Sequence, residues 1–120
     1  MAEVSETLRA EIKRYQDLVE RLRLIALNKQ QLQAQLSEVD EALRELGSVE
    51  DTQPVYKISG SIIVLKNKSV VINELNSLKE ALEVRVKTLE KQEDLLKKQL
   101  DELEKKLAKK LGGATQTGAG

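Results

Sequence analysis

The sequence predicts a mostly α-helical protein in which two long helices form an antiparallel coiled coil with a β-hairpin between them. Two segments without proline or glycine, about residues 4–46 and 68–111, carry apolar residues at alternating spacings of three and four, a pattern typical of coiled-coil helices. A short segment rich in valine and isoleucine lies between them. Because the two helices have nearly equal lengths, a tight turn returns the second along the first.

The first helix is predicted over about residues 4–46 by its heptad pattern. The pattern weakens near its start, where Glu11 occupies the position after Leu8 and Ile12 lies beside it. Gly47 follows the last apolar residue and is a good helix stop, because glycine adopts the left-handed conformation freely. A polar connector follows, up to Gln53. The predicted apolar seam, with one charged member, is Tyr15, Leu18, Leu22, Ile25, Lys29, Leu32, Leu36, Val39, Leu43 and Leu46.

The central hairpin is predicted over about residues 54–66, which form two apolar runs on either side of a glycine. Gly60 and Ser61 suit a two-residue type II′ turn, in which glycine supplies the positive φ at the first central position. A two-stranded hairpin is marginal in water, and its unpaired edges favour pairing with other chains. Since no other segment resembles a strand, we expect the missing strands to come from other chains. The turn makes cross-strand partners of Ile58 and Ile63, and of Tyr56 and Leu65.

The second helix is predicted over about residues 68–111, with Asn67 or Ser69 capping its start. One row of its seam is a leucine in every heptad, and the complementary row turns polar midway. From Leu96 onward the apolar residues change phase, which predicts a local change in the supercoil. The glycine-rich residues 112–120 are predicted to be a disordered tail. The leucine row is Leu75, Leu82, Leu89, Leu96 and Leu103, and the complementary row is Val71, Leu78, Arg85, Gln92 and Gln99.

The composition argues against an enzyme and against metal, cofactor or nucleic-acid binding. The chain has no histidine and no cysteine, which removes thiolate nucleophiles and the commonest transition-metal ligands, and no local signature of a serine or lysine nucleophile is present. Carboxylates such as Glu74, Glu80 and Glu83 lie among basic residues and are interpreted as a solvated helix face. The formal net charge is zero, so nucleic-acid binding has no electrostatic support. No apolar run reaches the roughly 20 residues of a membrane span, and the N-terminal residues do not resemble a signal peptide. We therefore expect a soluble cytoplasmic protein.

Apolar residues near the start of the first helix and near the end of the second are predicted to meet at the open end of the coiled coil. They can simply zip the last helical turns together. Alternatively, because helix ends fray, they can offer a weak and non-directional surface to exposed hydrophobic partners. The residues alone leave both interpretations open. The candidate tip residues are Val4, Leu8, Ile12, Leu100, Leu103, Leu107 and Leu111.

The hairpin and the helix after it carry a specific sequence pattern. It consists of Val-Tyr-Lys-Ile-Ser-Gly at residues 55–60, Ile-Ile-Val at residues 62–64, and the leucine-rich run over residues 74–93, with Tyr15 and a glutamine pair at residues 30–31 upstream. This pattern resembles the beta-type subunit of archaeal prefoldin, over about residues 4–111. A single hairpin between the helices, rather than two, favours the beta type over the alpha type.

The resemblance implies a hexamer of two alpha-type and four beta-type subunits, whose hairpins join into a β-barrel platform that carries six coiled coils. It implies an ATP-independent chaperone that holds unfolded proteins at the coiled-coil tips and transfers them to a group II chaperonin, without a cofactor. The alternative is a structural coiled-coil scaffold or tether that binds no client. The resemblance assigns assembly to Val55, Tyr56, Ile58, Ile62, Ile63, Val64 and Leu65, and it assigns Val4, Leu8, Leu103, Leu107 and Leu111 to the region of the tips.

Overall fold

The computed structural model describes residues 5–112 and contains two helices and two strands. Helix α1 spans Glu6–Gly47, strand β1 spans Val55–Ser59, strand β2 spans Ile62–Lys66, and helix α2 spans Lys68–Gly112. This order confirms the predicted fold class of two long helices around a central antiparallel hairpin. Val4 and residues 113–120 of the predicted tail lie outside the described residues.

Local hydrogen bonds account for the start of each helix. The Ser5 side-chain oxygen accepts a hydrogen bond from the Leu8 amide at 3.1 Å, and the Ser5 carbonyl accepts one from the Arg9 amide at 3.0 Å. Such an N-cap satisfies amides that have no partner inside the first turn. Asn67 directly precedes α2, and its carbonyl accepts a hydrogen bond from the Val71 amide at 3.1 Å. Of the two predicted caps, Asn67 therefore occupies the capping position.

The connector between α1 and β1 is tied to the first turn of α2 by Lys68. Its Nζ atom donates to the Val49 carbonyl at 2.6 Å and lies 3.1 Å from a carboxylate oxygen of Asp51. The connector also folds on itself, because the Ser48 hydroxyl donates to the Glu45 carbonyl at 2.8 Å. The end of α1 and the beginning of α2 are thus held side by side next to the hairpin.

The chain forms two compact units. We call residues 29–88 the ribbon unit, because it contains both strands, and the described parts of residues 1–28 and 89–120 the end unit. In the ribbon unit the two helical segments run antiparallel, and Lys79 on α2 forms an ion pair of 2.8 Å with Asp40 on α1. Its most buried apolar residues are Leu32, Val39, Leu46, Leu82 and Val86, whereas those of the end unit are Leu18 and Leu103.

The burial of α1 confirms its predicted seam. Every seam residue from Tyr15 to Leu46, including Lys29, is buried or half-buried, and most residues between them are exposed. Lysine can occupy such a position because its aliphatic stem covers apolar neighbours.

The predicted seam of α2 is only half correct. Its leucine row is buried or half-buried as predicted. Val71 and Gln99 of the complementary row are half-buried too, but Leu78, Arg85 and Gln92 are exposed, so the middle of that row is wrong. The change of phase predicted at Leu96 is also wrong, since the spacing between successive seam residues alternates between four and three without a break from Leu75 onward. A search for apolar residues does not find the second row of the seam, because lysine and glutamate occupy two of its positions. The residues that complete the seam are Ile72, Lys79, Val86, Glu93, Leu100 and Leu107.

The hairpin has the predicted register and turn. Ile58 is the partner of Ile63 and Tyr56 is the partner of Leu65. Gly60 has a φ of 59°, and Ser61 has a negative φ, a combination that fits the predicted type II′ turn. The register places side chains of directly opposed residues on the same face of the two-stranded ribbon.

Replacing Gly60 with alanine is expected to destabilise this turn by about 1–2 kcal/mol, because an L-residue is strained at positive φ. A Cβ atom at Gly60 would meet no atom within 4 Å, so the cost arises from the backbone and not from a clash. Amide hydrogen exchange in β1 and β2 should therefore become roughly 5- to 30-fold faster. Ser61→Ala is the control and should leave the exchange rates nearly unchanged.

Candidate functional site

The ribbon exposes one entirely apolar face. Tyr56, Ile58, Ile63 and Leu65 share this face, and each is between 61% and 76% exposed. We call these four residues the apolar ribbon face. Single exposed apolar residues are common on protein surfaces, but a contiguous group of large ones is characteristic of an interaction site.

The opposite face of the ribbon is turned toward α2, and we call it the lysine face. Lys66 Nζ lies 2.7 Å from one carboxylate oxygen of Glu74 on α2, and Lys57 Nζ lies 2.9 Å from the other. Two hydrogen bonds lower the pKa of the Glu74 carboxyl below its ordinary value, and the one from Lys66 contributes more than the one from Lys57. The residues of the lysine face are Val55, Lys57, Ser59, Ile62, Val64 and Lys66.

The seven residues assigned to assembly by resemblance divide between these two faces. Four of them form the apolar ribbon face. Val55 and Val64 lie half-buried on the lysine face, and Ile62 lies exposed on that face beside the turn. Sequence spacing does not reveal the role of Glu74, because it assigns this residue to a solvated face. The signal was the pair of lysines in two otherwise apolar strands, but only the folded hairpin shows that they reach one carboxylate.

The candidate tip residues that the structure describes belong to the end unit, and most of them pack along the seam. Leu103 is buried with 7% exposure, and Leu111 is exposed at 48%. Leu8, Ile12, Leu100 and Leu107 are half-buried. The described tip residues thus combine a closed seam with one clearly exposed leucine at its end.

An acidic residue ties the two helices together at this end. Glu11 on α1 forms ion pairs with Lys110 at 2.6 Å and with Lys106 at 3.8 Å, both on α2. The hydrogen bond from Lys110, with the charges of Lys110 and Lys106, lowers the pKa of the Glu11 carboxyl. In the sequence Glu11 is only an interruption of the apolar pattern, whereas in the structure it links α1 to α2.

The lowered pKa of Glu11 predicts a pH dependence. A carboxylate whose pKa is lower in the folded state than in the unfolded state stabilises the fold at pH values above its unfolded-state pKa. This contribution is lost as the pH falls through its folded-state pKa. The wild-type chain should therefore melt at a higher temperature than Glu11→Gln at pH 7. The difference should shrink once the pH falls below the ordinary glutamate value of 4.5. Thermal unfolding of both proteins between pH 7 and pH 3 measures this. A difference that stays constant over the whole range would contradict it.

The end unit also contains an open apolar groove of about 420 Å³. The exposed side chains of Leu24 on α1 and Leu95 on α2 line it, together with Ile25 and Leu96. Arg21 and Gln92 supply its polar atoms. The heptad pattern does not predict this groove, because Leu24 and Leu95 lie outside the seam.

Neither a metal centre nor a membrane span is visible in the part of the chain that the structure describes. No three acidic, histidine or cysteine residues between positions 5 and 112 are arranged to hold a metal ion. Neither helix, within its described length, contains a stretch apolar enough to cross a lipid bilayer.

Comparisons with known proteins agree on one family. A family model described as prefoldin subunit matches residues 9–114. Prefoldin subunit beta of Archaeoglobus fulgidus is 37% identical over 94 residues, which cover 78% of this chain and 81% of that protein. Prefoldin subunit beta of Pyrobaculum aerophilum is 36% identical over 124 aligned residues, which cover 100% and 98%. The crystal structure of the prefoldin beta subunit from Thermococcus strain KS-1 matches with a TM-score of 0.84 and 33% identity, over 92% of this chain and 97% of that one.

Proposed function

The chain belongs to the prefoldin subunit family, and we propose that it is a beta-type subunit of a hetero-oligomeric, ATP-independent chaperone of the cytoplasm. The observation that carries this proposal is the apolar ribbon face on a hairpin of only two strands. In the proposed assembly, four copies of this chain and two alpha-type subunits join their hairpins into β-barrels. The subunit acts by binding and carries out no chemical reaction.

The energetics of the ribbon favour a closed assembly over a simple pair. Full burial of a large apolar side chain contributes about 1.5–3 kcal/mol, so the four residues of the apolar ribbon face offer about 6–12 kcal/mol per copy. Association costs an estimated 4–15 kcal/mol in lost freedom, which burial of the faces of two copies can offset, but a simple pair leaves one edge of each ribbon unpaired. A ribbon has two open edges, and a closed ring satisfies both edges of every copy.

We place client binding at the end unit, on the exposed Leu111 and the half-buried Leu8, Ile12, Leu100 and Leu107. The buried Leu103 and, near Leu8 in sequence, Val4 complete the proposed site. Partial exposure of several leucines suits a client that is itself unfolded, because apolar contacts are non-directional and tolerate many sequences. We further propose that the assembly passes its clients to a group II chaperonin. The family resemblance supports that step.

A scaffold that binds no client is the second candidate. Two features favour it: Leu103 is buried in the seam, and Glu11 links the two helices through ion pairs with Lys106 and Lys110. A tether needs only such a closed coil, whereas a chaperone needs apolar surface that clients can reach.

Suppression of aggregation separates the two candidates. The chain is mixed with an alpha-type prefoldin subunit, and light scattering follows a chemically denatured enzyme diluted into the mixture without nucleotide. We expect scattering to be suppressed at near-stoichiometric ratios, and addition of a group II chaperonin with ATP to return the enzyme to activity. An assembled complex that leaves the scattering unchanged would favour the scaffold.

A further inference from the structure

One carboxylate on α2 holds both strands of the ribbon. Each Glu74 oxygen faces a different lysine, Lys66 on β2 at 2.7 Å and Lys57 on β1 at 2.9 Å. These lysines are 8 and 17 residues from Glu74 in sequence, so the contact is tertiary. Because Lys57 and Lys66 share the lysine face, the same contact turns the apolar ribbon face away from α2.

The surroundings of Glu74 explain why such a contact is needed. Val70 and Leu78 lie four residues before and after it, on the same side of α2, and they are 43% and 47% exposed. Glu74 is the one polar side chain of this three-residue stripe. A ribbon that turned over could cover its own apolar face on the stripe, in exchange for the half-buried Val55 and Val64 of the lysine face. Such a subunit would hide the surface that assembly requires.

We propose that Glu74 is a positioning residue for assembly, which keeps the lysine face on α2 and leaves the apolar ribbon face open to other subunits. The inference rests on the proposed function, since it concerns the surface through which the chain assembles. Exposed ion pairs are individually weak, but they need only bias the orientation of the ribbon. When only a fraction of the subunits is competent, the concentration needed for assembly rises by the inverse of that fraction.

The first test compares assembly midpoints on dilution. Mixtures with an alpha-type prefoldin subunit are diluted stepwise and the complexes are counted by mass photometry. Glu74→Gln removes the charge while retaining the shape, and we expect the midpoint concentration to rise about three- to tenfold. Glu80→Gln is the matched control, because it removes an exposed carboxylate on another side of α2. It should leave the midpoint unchanged.

A charge reversal tests positioning specifically. Glu74→Lys should impair assembly more than Glu74→Gln, because it repels both lysines. Adding Lys57→Glu and Lys66→Glu to it restores opposite charges, and the triple variant should recover most of the wild-type midpoint. A role in helix stability alone would not produce this recovery.

The second test measures the orientation of the ribbon directly. The chain has no natural cysteine, so Ser61→Cys and Ser77→Cys can carry two spin labels, one in the turn and one on α2. Double electron–electron resonance spectroscopy on labelled chains diluted with unlabelled ones should give a narrow distance distribution that broadens in Glu74→Gln. Circular dichroism should show equal helix content in the two proteins.

The two tests separate this inference from the proposed function. If the wild-type chain does not assemble, the proposed assembly is wrong, and the distance distribution still decides whether Glu74 orients the ribbon. If the wild-type chain assembles and Glu74→Gln matches its midpoint, the inference is overturned, even if the distances broaden. An unchanged distance distribution overturns it as well.

Discussion

An aspartate in place of Ile63 is expected to abolish assembly and to leave most of the helix content intact. Ile63 is exposed in the middle of the apolar ribbon face, opposite Ile58. The change removes about 1.5–3 kcal/mol of apolar burial per copy and adds the cost of burying an unpaired charge. Helices α1 and α2 do not depend on Ile63, since their seams are formed by other residues. Sedimentation velocity with an alpha-type subunit, together with circular dichroism, measures both effects.

The control for Ile63→Asp is Ser61→Asp, which places the same charge in the turn and away from the apolar ribbon face. It should assemble like the wild type. A complex of unchanged mass in Ile63→Asp would show that the apolar ribbon face is not the assembly surface.

Serine in place of both Leu107 and Leu111 is expected to weaken client capture about tenfold or more and to spare assembly. These residues lie in the end unit, whereas the assembly surface lies in the ribbon unit. Each leucine contributes about 1.5–3 kcal/mol when a client buries it fully, and tenfold corresponds to about 1.4 kcal/mol. The ratio of complex to denatured enzyme that halves aggregation measures the loss, and the mass of the complex should not change.

Truncation after Gly112 is the matched control for this double variant, because it removes the tail and keeps both leucines. It should suppress aggregation as well as the full chain. Full suppression by the double variant would instead move client binding away from the predicted tip. The groove between Leu24 and Leu95 would then be the next surface to test, since it also exposes leucines in the end unit.

The sequence was sufficient to predict the parts of this fold that depend on local pattern. The seam of α1 follows from spacing because nine of its ten predicted positions are apolar or aromatic. The hairpin register follows from Gly60, because a two-residue turn fixes which residues stand opposite each other. Both predictions therefore needed no knowledge of how the elements pack.

The parts that spacing could not predict depend on polar residues in tertiary contact. Lys79 and Glu93 occupy seam positions of α2, and a search for apolar periodicity assigns such residues to the surface. Lys79 is accommodated there because its ammonium group reaches Asp40 on α1. Glu74 was missed for the same reason, since its partners are brought near only when the ribbon folds back toward α2.

The mass of the complex formed with an alpha-type prefoldin subunit tests the central claim most directly. The claim is that a two-stranded ribbon with an exposed apolar face requires other subunits to complete it. Native mass spectrometry should find a six-subunit complex containing four copies of this chain, with slowly exchanging amides in β1 and β2. A monomeric chain that remains unassembled beside the alpha-type subunit, and whose strand amides are already protected, would contradict the claim.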